Sequence, residues 1–89
     1  MTYTVELSPE AQKDLRSLSG YARGAALAIL RDLKQDPRPL RSKELRGKPG
    51  VYRIWLLRKW RIVYAVDDDL LRVLALRVRL KDQIDYDSV

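Results

Sequence analysis

Polar and apolar side chains alternate at the start of the chain, with Tyr3, Val5 and Leu7 set against Thr2, Thr4 and Glu6. That period of two predicts a half-buried strand. Ser8 then offers a helix N-cap, Pro9 suits the first helical position, and Glu10 sits where the helix dipole favours an anion. Ala11, Leu15 and Leu18 make one apolar stripe until Ser19-Gly20 interrupts it. A second stripe, Ala22, Ala25, Ala26, Ile29, Leu30 and Leu33, predicts a second helix reaching about Lys34 or Asp36. Asp36-Pro37-Arg38-Pro39 ends it, because proline removes a donor and pushes its predecessor out of the helical region.

A loop is expected to about Pro49, followed by strands over 51–57 and 60–66 joined through Arg58-Lys59. Tyr52, Ile54 and Leu56 share one face of the first, and Val51, Arg53, Trp55 and Leu57 the other. In the second, Trp60, Ile62, Tyr64 and Val66 oppose Arg61, Val63 and Ala65. Both faces are largely apolar, so both should be partly covered. Asp67-Asp68-Asp69 reads as a polar reversal rather than a metal site, because the other ligands of a calcium loop are missing. A further strand is expected over 70–78, then a polar tail in which Ile84 and Tyr86 can dock on the open sheet face near Arg53 and Arg61. The fold class that follows is α+β: an N-terminal strand, a helical hairpin, then a mainly antiparallel sheet of about four strands with both helices on one face. With 89 residues, one domain over 1–89 is expected.

Charge changes this picture. The net charge is +6, yet acids and bases cancel over residues 1–36. Residues 37–64 carry nine basic side chains against Glu44 alone, and residues 65–89 carry a small acidic excess. A local basic field of this kind attracts a polyanion. Neither cysteine nor histidine occurs, so thiolate chemistry, zinc-cysteine sites and imidazole acid-base catalysis are excluded, and no metal or cofactor is expected. There is no apolar run near the roughly 18 residues that a membrane span needs, and a cytoplasmic location is the expectation.

Leu45-Arg46-Gly47-Lys48-Pro49-Gly50-Val51-Tyr52-Arg53-Ile54, followed by Trp60-Arg61-Ile62-Val63-Tyr64-Ala65-Val66 and the acidic turn, resembles the core of the RelE/ParE superfamily of toxins from bacterial type II toxin-antitoxin modules. The resemblance covers nearly the whole chain. It implies a RelE-like fold, a toxin held inert by a cognate acidic antitoxin in a hetero-oligomer, and, for RelE-like members, a ribosome-dependent endoribonuclease that cuts mRNA. By position, Arg53 and Arg61 match the family's strand cations, Lys81 falls where an arginine is usual, and Tyr86 matches a late tyrosine. These four form the expected catalytic set, with no metal. The corner that usually carries a glycine is Val78-Arg79-Leu80-Lys81 here. That departure keeps a second reading open, a non-enzymatic ParE-like poison of DNA gyrase.

The chemistry of the residues bears on the first reading. Attack of a 2′-hydroxyl on the adjacent phosphate needs proton transfer and stabilisation of charge growing on the phosphate oxygens. Arg53 and Arg61 offer planar donor forks. Lys81, if crowded by other cations, can exchange a proton, and Tyr86 can stack on a base or act as acid or base. Arg46, Lys48, Arg77 and Arg79 are the further cations expected to hold RNA. For Arg77 and Arg79, pairing with a carboxylate or covering apolar surface is an equal alternative. Tyr52, Tyr64, Trp55 and Trp60 read as core or antitoxin contacts.

Overall fold

A computed structural model describes residues 2–89. Ser8 caps the first helix as its sequence predicts: its Oγ accepts from Ala11 N at 3.0 Å, and Pro9 opens α1, Pro9–Ser17. Ser19 repeats the device at α2, Gly20–Asp32, accepting from Ala22 N at 3.3 Å. Arg23 fastens the corner between them, its guanidinium donating to the carbonyls of Leu15, Arg16 and Leu18 at the end of α1. Such donors satisfy carbonyls that have no partner within the helix.

Five strands follow the order β1-β5-β4-β3-β2 in one sheet: β1 Thr4–Leu7, β2 Lys43–Glu44, β3 Val51–Leu56, β4 Trp60–Asp67 and β5 Arg72–Leu80. Only β1 and β5 pair in parallel; the other contacts are antiparallel. The fifth strand corrects the expected count of about four. β2 lies inside the expected 37–49 loop, and its two exposed, charged residues are too few to carry an alternating pattern. Other boundaries move as well: α2 closes at Asp32, and β5 begins and ends two residues later than expected.

Both helices lie on one face of the sheet. Ala11, Leu15, Ala26, Ile29, Leu30 and Leu33 meet Ile54, Leu56, Ile62, Tyr64, Val73, Ala75 and Val78 in a single core. Leu56 and Ile62 are wholly buried, each contributing about 1.5–3 kcal/mol by transfer from water. Tyr64 is the one wholly buried phenol. It donates to the Pro37 carbonyl at 2.8 Å, so its hydroxyl is satisfied while its ring stacks on Tyr52. Burial pushes its ionisation up from the ordinary tyrosine value.

The opposite face is set by register. Trp55 pairs with Arg61, Arg53 with Val63, Val63 with Arg77, and Arg61 with Arg79. Within β5 the register shifts, since Val63 faces Arg77 while Tyr64 faces Ala75. Leu76 is therefore the extra residue of a bulge, which keeps Val78 in the core and turns Arg77 and Arg79 to the other side. Val63 is wholly buried although it lies away from the helices, and Ile84 is buried too. The C-terminal segment, with short 3-10 turns at Lys81–Gln83 and Tyr86–Ser88, returns over this face. Among the described residues no helix is long and apolar enough to cross a membrane.

Candidate active site

The loop between β2 and β3 is closed by its own backbone. Leu45 N donates to Val51 O at 2.8 Å, Lys48 N to Leu45 O at 3.2 Å, and Val51 N to Lys48 O at 3.1 Å. Gly50 completes it with a φ of +83°, a left-handed conformation that glycine takes without cost, and Glu44 accepts from its N–H at 2.9 Å. This closure presents Arg46 and Lys48 beside β3.

Arg46, Lys48, Arg53, Arg61 and Tyr86 line one hollow of about 270 Å³ together with Leu45 and Asp87. Arg61 is its fixed point. Its Nη1 donates to Tyr86 Oη at 2.7 Å, and its guanidinium carbon lies 4.4 Å from the centroid of the Trp55 ring. The ring and the phenol hold the fork on two sides, which restricts its orientation. Arg61 Nε is buried with no hydrogen-bond partner among the described residues. Because Tyr86 Oη accepts from Arg61, its own hydrogen is left to point elsewhere. Lys48 Nζ donates to a backbone oxygen of Val89 at 2.7 Å, tying the loop to the C-terminal segment.

Lys81 does not line this hollow. It opens the first 3-10 turn, where its N–H donates to Lys59 O at 3.1 Å, and it lines a neighbouring hollow with Trp55, Arg58, Lys59, Leu80, Asp82 and Gln83. Of the four residues expected to act together, Arg53, Arg61 and Tyr86 thus share one concavity, and Lys81 stands in the next.

A family model for the ParE toxin of type II toxin-antitoxin systems matches residues 5–84. The chain belongs to this toxin family, within the RelE/ParE superfamily. Among solved structures the toxin is similar to the RelE chain of the intact E. coli RelBE toxin-antitoxin complex, with a TM-score of 0.79 and 30% identity over 88% of this chain and 95% of that one. A variant of E. coli RelE in the free state gives a TM-score of 0.83 and 28% identity over 99% and 93%. The RelBE2 toxin-antitoxin complex of Mycobacterium tuberculosis gives 0.79 and 28% over 91% and 100%. Comparison with curated protein sequences finds no match.

The remaining cations of the toxin's open face have a different environment. Arg77 Nε and Nη2 donate to the Asp14 carboxylate at 2.9 and 3.0 Å, and the same carboxylate accepts from Val78 N at 2.9 Å. Arg79 Nε lies 4.0 Å from Asp14 and its Nη1 donates to Gln83 O at 3.3 Å. These two arginines line a third hollow against α1, with Lys13, Ser17 and Trp60. Asp14 had a signal in the sequence: three residues after Ala11 and four before Leu18, it is an acid on the apolar stripe of α1, and a buried carboxylate requires a partner.

A second cluster was also missed. Arg38 spans Asp68 with two bonds of 3.1 and 2.8 Å and donates through Nε to Tyr52 Oη at 2.8 Å, while Tyr3 Oη donates to the same carboxylate at 2.7 Å. The bonds from Arg38 and then Tyr3 hold the Asp68 carboxyl below the usual carboxylate range. The bond to Asp68 in turn raises Tyr3, and Asp68 followed by Tyr52 raises Arg38. This clasp joins the loop after α2 to the β4–β5 turn, and its arginine is held by both Asp68 and Tyr52.

Proposed function

We propose that this toxin is an endoribonuclease that cuts mRNA on the ribosome, inhibiting translation, and that a cognate acidic antitoxin silences it. The observation that carries the reading is the contact between Arg61 and Tyr86 inside a hollow whose other charged walls are Arg46, Lys48, Arg53 and Asp87.

In the cleavage step the 2′-oxygen bonds to phosphorus as the bond from phosphorus to the 5′-oxygen breaks, leaving a cyclic phosphate and a new 5′-hydroxyl. Arg53 and Arg61 take the charge that grows on the non-bridging oxygens. Tyr86, its oxygen held by Arg61, gives its free hydrogen to the departing 5′-oxygen. The 2′-hydroxyl proton passes to solvent water, because Lys81, the amine expected for this step, lines the adjoining hollow. Nothing in this sequence of events calls on a metal. With that amine one hollow away from the arginines, the message has to be bent into line by another body, and a ribosome that grips mRNA supplies such positioning.

Incubating the purified toxin with programmed ribosomes and mapping 5′ ends tests the reading. Discrete new ends are expected, while intact message at high toxin overturns it. The family description favours a second reading, a gyrase poison in the ParE manner. Loss of supercoiling with trapped cleavage complexes, and no cut message, would put that reading in place of the first.

Antitoxin capture is supported by the basic excess over residues 37–64 and by relatives crystallised as toxin-antitoxin complexes. An acidic, amphipathic segment that folds as it binds suits such a surface. Affinity purification of the tagged toxin from its native cells is expected to recover a small acidic protein.

A further inference from the structure

The side of Trp55 away from the Arg53–Arg61 hollow is as strongly marked as the hollow itself. Trp55 is 39% exposed, a large fraction for an indole in a strand. Arg61 lies over its ring, and the ring also lines the neighbouring hollow of about 450 Å³ with Arg58, Lys59 and Lys81. None of these three cations makes an ion pair among the described residues, although Asp82 lines the same hollow.

The turn that presents Arg58 and Lys59 is strained. Leu57 and Arg58 hold φ values of 51° and 70°, a left-handed pair that glycine or asparagine would adopt far more readily. Local folding gives no reason for an arginine at a left-handed position, and backbone strain that tertiary structure holds in place is found most often where a surface is used. The bond from Lys81 N to Lys59 O pins the end of β5 to this turn, so the three cations are held as one group.

We infer that Arg58, Lys59 and Lys81 form a second phosphate-binding subsite, and that Trp55 is the platform on which a base stacks between it and the Arg53–Arg61 hollow, so that one single strand of RNA crosses both. The inference rests on the nuclease reading for its ligand class. It assigns Lys81 to holding a neighbouring phosphate, in place of the catalytic role expected from its motif position. An aromatic surface between two groups of cations matches a strand of alternating bases and phosphates; it has no counterpart in an acidic peptide, which presents carboxylates without stacked rings.

The test uses a 2′-O-methylated hexanucleotide, which has no free 2′-hydroxyl and so binds without being cut. Titration of the full chain is expected to quench tryptophan fluorescence. Trp55→Leu is expected to weaken binding on the order of tenfold, with Trp55→Phe recovering most of it. Arg58→Gly removes a cation and relieves the turn. It is expected to keep or raise the melting midpoint while lowering affinity and reducing the dependence of log affinity on log salt by about 0.7, and Lys81→Ala is expected to lower that dependence equally.

Unchanged affinity and salt dependence in both charge variants would overturn the subsite, as would a loss confined to antitoxin binding. The two readings separate on ribosomes. Wild-type toxin that binds the hexanucleotide in this way but leaves message intact would end the nuclease reading and keep the subsite. Normal cutting, with Arg58→Gly and Lys81→Ala binding the hexanucleotide as wild type does, would do the reverse.

Discussion

Arg53 and Arg61 on one side of the open sheet face, and Arg77 and Arg79 on the other, are the same residue type on neighbouring strands, and their fates differ. Arg61 meets a phenol and an indole and makes no ion pair among the described residues. Arg77 meets the buried Asp14 and is neutralised. A carboxylate within reach, supplied by α1, separates an arginine that can bind phosphate from one that holds the fold together. Net charge on a surface therefore overstates the site: Arg77 and Arg79 add to the count, but Asp14 lies against both.

The comparison can be broken most forcefully at Arg61. Arg61→Ala should lower message cleavage by about 10²–10³-fold, the usual cost of removing one preorganised donor from a developing anion. Antitoxin affinity and the melting midpoint should move little. A nearly normal cleavage rate in that variant would remove Arg61 from the chemistry. Tyr86→Phe separates the phenol's two roles, with a loss of about 10² expected if its hydrogen is donated and almost none if only the ring is used.

Asp14→Asn sharpens the other half. It leaves the Arg77 fork without its charge partner, and should cost about 2–4 kcal/mol in denaturant unfolding with little effect on RNA binding. Asp68→Asn should have the smallest effect. The carboxyl of Asp68 is depressed in the folded state, so its contribution is complete above the ordinary carboxylate value and lost as pH falls through the lower folded value. The difference in melting midpoint between wild type and Asp68→Asn should thus be present near neutrality and close in acid.

Much of this was legible in the sequence. Ser8-Pro9 and Ser19-Gly20 mark the two helix starts, and the alternation around Tyr52 and Ile62 assigns core and open faces correctly. Those features depend on local residue chemistry and a period, and both are written in one stretch of chain. What was hidden depends on partners far apart in sequence. β2 is visible only through its pairing with β3. The bulge at Leu76 shifts the register of β5, and a shift of one residue exchanges the faces of every side chain beyond it; no spacing in Val73 to Leu80 announces it. Lys81, matched by motif position to the Arg53–Arg61 set, lies beyond that shift and lines the adjoining hollow.

Salt dependence of hexanucleotide binding tests the central contrast most directly, with Arg53→Gln/Arg61→Gln compared against Arg77→Gln/Arg79→Gln. The account predicts that the first pair lowers the slope of log affinity against log salt by about 1.4, corresponding to two lost phosphate contacts, while the second pair leaves the slope unchanged and lowers the melting midpoint. A slope that falls as far, or further, in the Arg77/Arg79 pair would contradict it.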